Sequence, residues 1–494
     1  MRVVRELADQ TPPSRERYVD LLRAVAIVLV VLGHWLVSVI IHDRNGQLAG
    51  HSALESMTWM YPFTWLVQVM PLFFIAGGYA NVASLAAHRG RDGDAITWLQ
   101  NRGTRLLRPT TAFLIVIAGV ALIAQLLGAD RSLTRLAVWF ATIQLWFLSV
   151  YLAMVLLTPV MYWLHLRFGW SAVVVLAVLT VLGDVARLNG YGHLADGGYV
   201  YSWLLIHQIG FFWWDGRLPF RPRVWAPLLF GGLAMVMALT LAGPYPVSMV
   251  DVSGKGPRNA SPPTVALLAD TAFQLGLVMM VHGPAERWLR RRRPWQAVVG
   301  TNLVVFTLFL WHMCAVLLLV GLLNALGALP TPTAGTVSWW LWRLPWFLML
   351  TVILTGLVAL FGRTEIQARR PVTPGRLPPW LARRLASPAP NLLLTLTAYG
   401  GAAAGLISNN AAPDKAHYLA GMPLGGLVAY LAGAALLRLA RSARPGHPPG
   451  PGCPGWGTPR PPSAGSPPGC PPQPQDTPVT ADDTGPPGNG AGRS

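Results

Sequence analysis

The sequence is poor in charged residues. Only 12% of its 494 residues are Asp, Glu, Lys or Arg, whereas 53% are hydrophobic. Soluble domains carry about 25% charged residues, so this composition excludes an ordinary soluble enzyme and favours a protein with many membrane-spanning segments. Acidic residues are the scarcer class, with 20 Asp and Glu against 38 Lys and Arg. We expect no nucleic-acid partner, because the arginines occur in short runs between apolar segments.

Cysteine is also scarce. Of the three cysteines, Cys314 lies inside an apolar run, and Cys453 and Cys470 lie in a Pro-rich segment near the C-terminus. The sequence contains no Cys-x-x-Cys pair. A disulfide framework and a cysteine metal site therefore have no support, and we expect no bound metal.

Long apolar runs, in contrast, are abundant. A helix needs about 20 mostly apolar residues to cross the hydrocarbon core of a bilayer. Twelve windows meet that requirement, at approximately residues 19–41, 57–86, 109–128, 136–164, 170–188, 199–215, 224–243, 264–283, 302–326, 338–361, 391–409 and 418–438. The sixth window is the least regular, because it contains His207 and ends in a polar turn.

The basic residues alternate with these windows. If the N-terminus lies in the cytoplasm, 30 of the 38 Lys and Arg residues fall in cytoplasmic segments. The others are Arg44, Arg131, Arg135, Arg187, Lys255, Arg258, Arg343 and Lys415. Cytoplasmic loops of membrane proteins are enriched in Lys and Arg. The bias therefore predicts a multi-pass protein of the cytoplasmic (cell) membrane with both termini in the cytoplasm.

Together these patterns predict an all-α fold, a polytopic membrane helix bundle of ten core transmembrane helices and two C-terminal ones. The predicted segments are a cytoplasmic N-terminal segment 1–16, a ten-helix membrane domain 17–362, a basic cytoplasmic linker 363–390, two additional transmembrane helices 391–438 and a tail 445–494. The tail is rich in Pro and Gly. We expect it to be disordered, because it cannot bury enough apolar surface to fold.

Two ionisable residues interrupt the first apolar window. Arg23 and His34 are separated by three helical turns plus about 20°, so both lie on one face of a helix, about 16 Å apart along its axis. Asp20 lies one turn before Arg23 and is placed to orient it. Ionisable residues inside a membrane helix are costly and usually functional. The alternatives are a snorkelling anchor for Arg23 and a structural hydrogen bond for His34.

Three arginines precede the third window. Arg102 and Arg105 share a face if the segment is helical, and Arg108 follows just before Pro109, a residue that suits a helix start. Guanidinium groups match the geometry of phosphate, so the group suits a phosphate-bearing ligand. The alternative is a topology signal that contacts anionic lipid headgroups.

Three further ionisable residues lie inside apolar windows. His207, Asp270 and His312 are candidates for substrate contact, because such residues in membrane helices usually mark functional sites. A structural hydrogen bond is the alternative for both histidines. The options for Asp270 are to position a substrate hydroxyl, to supply the acid of a His–carboxylate pair, or to pair with Arg343.

Several segments, taken in order, resemble the acyltransferase-3 family of membrane O-acyltransferases. The Arg-x10-His pattern of the family is met by Arg23 and His34 within DLLRAVAIVLVVLGH, and its Arg-x-x-Arg motif by Arg102 and Arg105. The remaining matches are PLFFIAGGYA in the second window, Leu145 to Leu148, and Phe309 to Met313. Ala76 stands where the family more often has Ser. The resemblance covers about residues 15–362, so the last two helices lie beyond it.

The resemblance implies a transfer reaction. An acyl group, expected to be acetyl, would pass from cytoplasmic acyl-CoA to a hydroxyl of a glycan or glycosylated acceptor at or beyond the membrane. His34 would act as the general base, or carry the acyl group itself, with Arg23 as a donor-side anchor. Arg102, Arg105 and Arg108 would bind the CoA phosphates. The rival interpretations are a transporter or flippase for a lipid-linked glycan or small molecule, and a non-catalytic scaffold for cell-envelope assembly.

Overall fold

The computed structural model describes residues 2–12, 15–42, 46, 48–252, 258–330, 332–368, 377–411 and 418–443. The predicted tail at 445–494 lies outside the described residues, as does part of the predicted linker, at 369–376.

The described chain is mostly helical. Its first ten α-helices are α1 Arg2–Asp9, α2 Arg17–Val37, α3 Thr64–Val67, α4 Met70–Arg89, α5 Ala95–Leu126, α6 Arg131–Thr142, α7 Leu145–Phe168, α8 Trp170–Leu188, α9 Gly192–Ala195 and α10 Gly198–Trp214. The others are α11 Pro222–Ala226, α12 Gly232–Met237, α13 Val265–Leu289, α14 Arg292–Leu303, α15 Val305–Ala325, α16 Val337–Ala368, α17 Pro379–Ala386, α18 Pro388–Ala411 and α19 Leu424–Ser442.

Short irregular and extended elements join these helices. Strands β1 Ser38–His42 and β2 Leu48–Ser52 form an antiparallel hairpin in which Ser38 faces Ser52. Strands β3 Tyr418–Leu419 and β4 Met422–Pro423 form a second, minimal pair. The 3₁₀ turns Ala53–Glu55 and Thr58–Phe63 lead into α3. The π turns Pro227–Gly231 and Ala238–Ala242 alternate with α11 and α12 in a single span.

The prediction of a polytopic all-α membrane bundle is confirmed. Within the described residues, 11 helices are long and apolar enough to cross a membrane. They correspond to all of the predicted windows except the sixth. That window forms α10, a helix of 17 residues whose side chains are mostly buried. The division of the chain into domains stays a prediction.

The predicted boundaries of the third and fourth windows are wrong. The third helix begins at Ala95 and not near residue 109, because the Asp94 carboxylate caps it by accepting from the Thr97 amide at 2.8 Å. The arginines that precede the third apolar window therefore lie within α5, and Pro109 lies in its interior. The fourth window is divided between α6 and α7 by a break at residues 143–144. Hydropathy does not detect such a break, because both sides of it are apolar.

The spans differ in how far they are enclosed. In α15, 67% of the apolar window is buried, against 17% in α8 and in the span Val337–Gln367. Helices that are apolar all round belong either in a protein core or against lipid. We therefore place α15 at the centre of the bundle and the exposed faces of α8 and α16 against the bilayer.

The two C-terminal helices dock onto α5, the helix that carries the three arginines. The Tyr399 hydroxyl of α18 donates to the Leu99 carbonyl at 2.8 Å, and Gln100 Nε2 donates to Asn391 Oδ1 at 2.7 Å. From α19, the Tyr430 hydroxyl donates to the Leu107 carbonyl at 3.1 Å. Helices α18 and α19 thus hold α5 on both sides of Arg102.

Glycines allow α18 and α19 to approach each other closely. A Cβ atom on Gly405 would lie 2.5 Å from the Gly426 carbonyl oxygen and 2.6 Å from the Tyr430 backbone nitrogen. A Cβ atom on Gly400, in the same helix, would meet no atom within 4 Å. Small residues at helix interfaces permit this packing in membranes.

We predict that Gly405→Leu lowers the melting temperature of the detergent-purified protein and that Gly400→Leu does not. Forced overpacking costs about 1–3 kcal/mol. The atoms of α19 that face Gly405 include backbone atoms, which cannot move aside as a flexible side chain would. Thermal unfolding of both variants beside the wild type measures the difference. Equal melting temperatures would show that the two helices do not pack through this contact.

Candidate functional site

Arg23 and His34 both lie on α2, as predicted, but in different surroundings. Arg23 Nη1 lies 3.9 Å from Asp20 Oδ1, and Arg15 Nε donates to Asp20 Oδ2 at 2.6 Å. The hydrogen bond to Asp20 raises the pKa of the Arg15 guanidinium above its ordinary value. Asp20 is buried and Arg23 is half-buried. The predicted orientation of Arg23 by Asp20 is thus present, and a second guanidinium shares the carboxylate.

His34 forms a pair with His312, a contact between α2 and α15. His34 Nδ1 lies 2.8 Å from His312 Nε2, and the two rings are nearly parallel at 14°. His312 is fully buried, whereas His34 is half-buried. The sequence proposed His312 for substrate contact, and the structure brings it instead to the ring of the predicted base. Its direct role toward substrate stays a prediction.

The hydrogen bonds of this pair assign its tautomers. A carbonyl oxygen can only accept, so the 2.8 Å contact between His312 Nδ1 and the Phe309 carbonyl puts a hydrogen on Nδ1. In neutral His312, Nε2 then carries a lone pair, and His34 Nδ1 must be the donor to it. Assigned in this way, His34 keeps a lone pair on Nε2. That nitrogen can accept a proton without rearrangement of the pair.

The C-terminal end of α2 is fixed around this pair. Trp35 Nε1 donates to the His312 carbonyl at 3.0 Å, and the Trp35 carbonyl accepts from Trp346 Nε1 at 3.2 Å. Arg343 donates to the carbonyls of Trp35 and Ser38, at 3.3 and 3.1 Å. Cations stabilise helix C-termini, because the last carbonyls carry partial negative charge. The helix ends at Val37 and not near residue 41, and His34 lies in its last turn.

Arg102 contributes to a second buried cluster. Its Nη2 donates to Asn81 Oδ1 at 2.7 Å, and Asn81 Nδ2 lies 3.1 Å from His207 Nε2. Asn81 and His207 are fully buried. Helices α4, α5 and α10 meet through these three side chains. Sequence reasoning identified Arg102 and His207 separately and missed Asn81, a polar uncharged residue inside the second apolar window.

The hydrogen bonds of this cluster also assign the orientation of the Asn81 amide and the tautomer of His207. A guanidinium only donates, so it fixes the amide oxygen of Asn81 toward Arg102 and the amide nitrogen toward His207. His207 Nε2 therefore accepts, and its hydrogen lies on Nδ1. Within the described residues, that buried Nδ1 has no hydrogen-bond partner. A buried polar atom of this kind favours contact with a ligand or a water molecule.

The other two arginines of α5 have different surroundings. Arg105 is exposed, and the half-buried Arg108 donates through Nη1 to the Gln367 carbonyl of α16 at 3.1 Å. The predicted three-arginine group is therefore not one cluster. Arg102 points into the bundle, and Arg108 joins α5 to the end of α16.

Asp270 has local partners. Its Oδ2 accepts from Gln274 Nε2 at 3.1 Å, one turn along α13, and its buried Oδ1 has no partner among the described residues. The alternative of a pair with Arg343 is not formed, because Arg343 donates to carbonyls at the end of α2. Substrate contact by Asp270 stays a prediction.

We predict that Asn81→Leu destabilises the protein. Leu has the branched skeleton of Asn without its polar atoms, so it leaves Arg102 and His207 without their hydrogen bonds, at a cost of about 1–3 kcal/mol for each group left unsatisfied. Asn189→Leu is the matched control, since Asn189 is exposed and donates only to the Val185 carbonyl. Thermal unfolding should separate the two variants; an Asn81→Leu protein that melts with the wild type contradicts the prediction.

Comparison with known protein families agrees with the motifs. The acyltransferase-3 family model, described as an acyltransferase domain, matches residues 16–363, which is more than half of the chain. Comparison with curated proteins and with solved structures gives no significant match. The match contains both histidines of the pair and all three residues of the Asn81 cluster. The chain therefore belongs to the acyltransferase-3 family and is a membrane acyltransferase.

Proposed function

We propose that the protein transfers an acyl group, expected to be acetyl, from cytoplasmic acyl-CoA to a hydroxyl of a glycan or glycosylated acceptor at or beyond the membrane. The observation that carries the proposal is the chain of hydrogen bonds from His34 through His312 to the Phe309 carbonyl. This chain leaves a lone pair on His34 Nε2. Acyl transfer to a hydroxyl needs a base of this kind.

The reaction can be written with one proton moving. His34 Nε2 takes the proton of the acceptor hydroxyl while the hydroxyl oxygen attacks the thioester carbonyl carbon. The tetrahedral intermediate then collapses, the carbon–sulfur bond breaks, and the departing CoA thiolate receives the proton from His34. His312 holds the His34 ring and accepts from its Nδ1 throughout, as the orienting member of an acid–base pair does. An acyl group carried on His34 Nε2 is the covalent alternative.

Arginines supply the donor side of the proposal. CoA is polyanionic, and Arg presents a fork of donors that matches phosphate. Arg105 is exposed, while Arg102 is half-buried and held by Asn81. The CoA phosphates would therefore meet one guanidinium at the protein surface, that of Arg105, and one that points into the bundle, that of Arg102. Arg23 is the proposed anchor for the part of the donor nearer the thioester. Arg108, which bonds the Gln367 carbonyl through Nη1, would add a third guanidinium on α5.

The orientation of the chain belongs to the same proposal. Acyl-CoA is made and used in the cytoplasm, so the arginines of α5 must face that side. This requires a cytoplasmic N-terminus, because two spans precede α5. A cytoplasmic C-terminus, as the distribution of basic residues predicts, requires in addition that α10 cross the membrane. A transporter or flippase for a lipid-linked glycan would account for the number of helices, but it has no need for a histidine with a base nitrogen fixed by a second histidine.

We expect His34→Ala to abolish detectable transfer and to leave acyl-CoA binding intact. Loss of a general base costs on the order of 10²–10⁴ in rate. The measurement is transfer of label from [¹⁴C]acetyl-CoA to the glycan fraction of membrane vesicles, together with acetyl-CoA binding to the purified variant. His312→Ala should lose less activity, because His34 remains but its tautomer is no longer fixed.

The exposed residue His51 provides the control, since His51→Ala should transfer at the wild-type rate. Near-normal turnover by His34→Ala would place the base elsewhere. Label that stays on denatured wild-type protein, and is absent from denatured His34→Ala, would identify the covalent route.

We expect the double variant Arg102→Ala, Arg105→Ala to bind acyl-CoA more weakly, with a smaller effect on the chemical step. A hydrogen bond to a charged group contributes about 1.5–3 kcal/mol, or roughly a ten- to hundredfold change in affinity. The control is Arg383→Ala with Arg384→Ala, which removes the same charge from the exposed helix α17. Unchanged affinity of the first double variant would remove the donor-binding role from α5.

A further inference from the structure

Three side chains of metal-ligating types converge at the start of α2, outside the His34–His312 pair and the Asn81 cluster. His282 and Glu286 lie one turn apart on α13, and Glu16 directly precedes α2. One ligand atom from each residue lies within 4.8 Å of the other two. All three residues are half-buried, so solvent can reach them. The third side chain, Glu16, lies 266 residues before His282 in the sequence, which is why spacing alone did not reveal the group.

The group is held in place by its neighbours. Glu286 Oε1 accepts from the Tyr18 amide at 2.9 Å, and His282 Nε2 lies 3.3 Å from Glu16 Oε1. The His282 ring packs against Phe220 at 4.3 Å and edge-on to Tyr18 at 4.9 Å, measured between ring centroids. Hydrogen bonds and packing of this kind orient the ligands of a metal site.

In the described part of the chain, the two arginines that flank Glu16 in sequence bond to groups outside this cluster. Arg15 is bound to the Asp20 carboxylate at 2.6 Å. Arg17 donates to the Leu289 carbonyl at 3.0 Å and lies over the Trp295 ring. Two carboxylates and one imidazole therefore meet where the start of α2 approaches α13. The protein as a whole carries a net charge of +18. Two negative groups at this distance favour a shared cation.

We propose that Glu16, His282 and Glu286 bind a divalent transition-metal ion of the Zn²⁺ type, which clamps the start of α2 to α13. One imidazole and two carboxylates are a set of three protein ligands that Zn²⁺ accepts, with water in the fourth position. The imidazole favours Zn²⁺ over Mg²⁺, which prefers oxygen ligands only. The metal site does not depend on the proposed acyl transfer, because none of its three ligands has a role in that reaction.

The test uses the full-length protein, purified in detergent with a tag that contains no histidine and treated with a chelator. Titration with ZnCl₂, followed by calorimetry and elemental analysis after gel filtration, should give one bound ion per chain and a raised melting temperature. MgCl₂ at the same concentration should give neither. His282→Gln and, separately, Glu16→Gln should weaken Zn²⁺ binding by at least about tenfold, because each removes one of three ligands.

The control is His51→Gln. His51 and Glu55 also lie one turn apart, at 4.0 Å, but the described residues offer them no third ligand. This variant should bind Zn²⁺ as the wild type does. The proposal is overturned if the wild type binds no Zn²⁺, or if His51→Gln loses as much binding as His282→Gln. If His282→Gln does not fold because the packing of the His282 ring is lost, the Zn²⁺ affinity of Glu16→Gln decides the test. Glu16 carries no ring, so its substitution leaves that packing in place.

Discussion

A carbonyl oxygen can accept a hydrogen bond but never donate one, and in this protein that constraint decides the protonation of two histidines. The Phe309 carbonyl accepts from His312 Nδ1, which leaves His312 Nε2 to accept from His34. Every later step of the proposed reaction depends on this order, because it leaves the reactive nitrogen of His34 unprotonated. The geometry of α15 thus sets the chemistry of a residue on α2.

The position of that residue depends in turn on how α2 ends. Carbonyls at a helix C-terminus need donors, and inside an apolar bundle water is scarce. Arg343 and Trp346 supply the donors, while Trp35 returns a hydrogen bond to the carbonyl of His312. The same contacts that satisfy the end of the helix therefore fix the distance between the two imidazoles. We therefore expect a substitution at any of these contacts to shift the position of the His34 ring.

Hydropathy predicted most of the fold, since a membrane helix must be apolar over a known length. The shared face of Arg23 and His34 followed from helical geometry, and Asp20 beside Arg23 from one turn of spacing. The partners of the site were harder to find. Asn81 is uncharged and lies in an apolar window, so no local pattern distinguishes it from a packing residue. The pairing of His34 with His312, and of Glu16 with His282, joins distant parts of the chain, and a single sequence carries no signal for such contacts.

The length of α5 has a consequence for where its arginines sit. With 32 residues it is about 48 Å long, whereas the hydrocarbon core of a bilayer is about 30 Å thick. The polar residues are concentrated in its first half, so the excess length projects from the membrane at the end that carries Arg102 and Arg105. This projecting part of α5 is held in place by the hydrogen bond from Arg108 to the Gln367 carbonyl and by the docking of α18. Hydrophobic mismatch is thus accommodated by a rigid extension, which presents the exposed guanidinium of Arg105 without a flexible loop while Arg102 turns into the bundle.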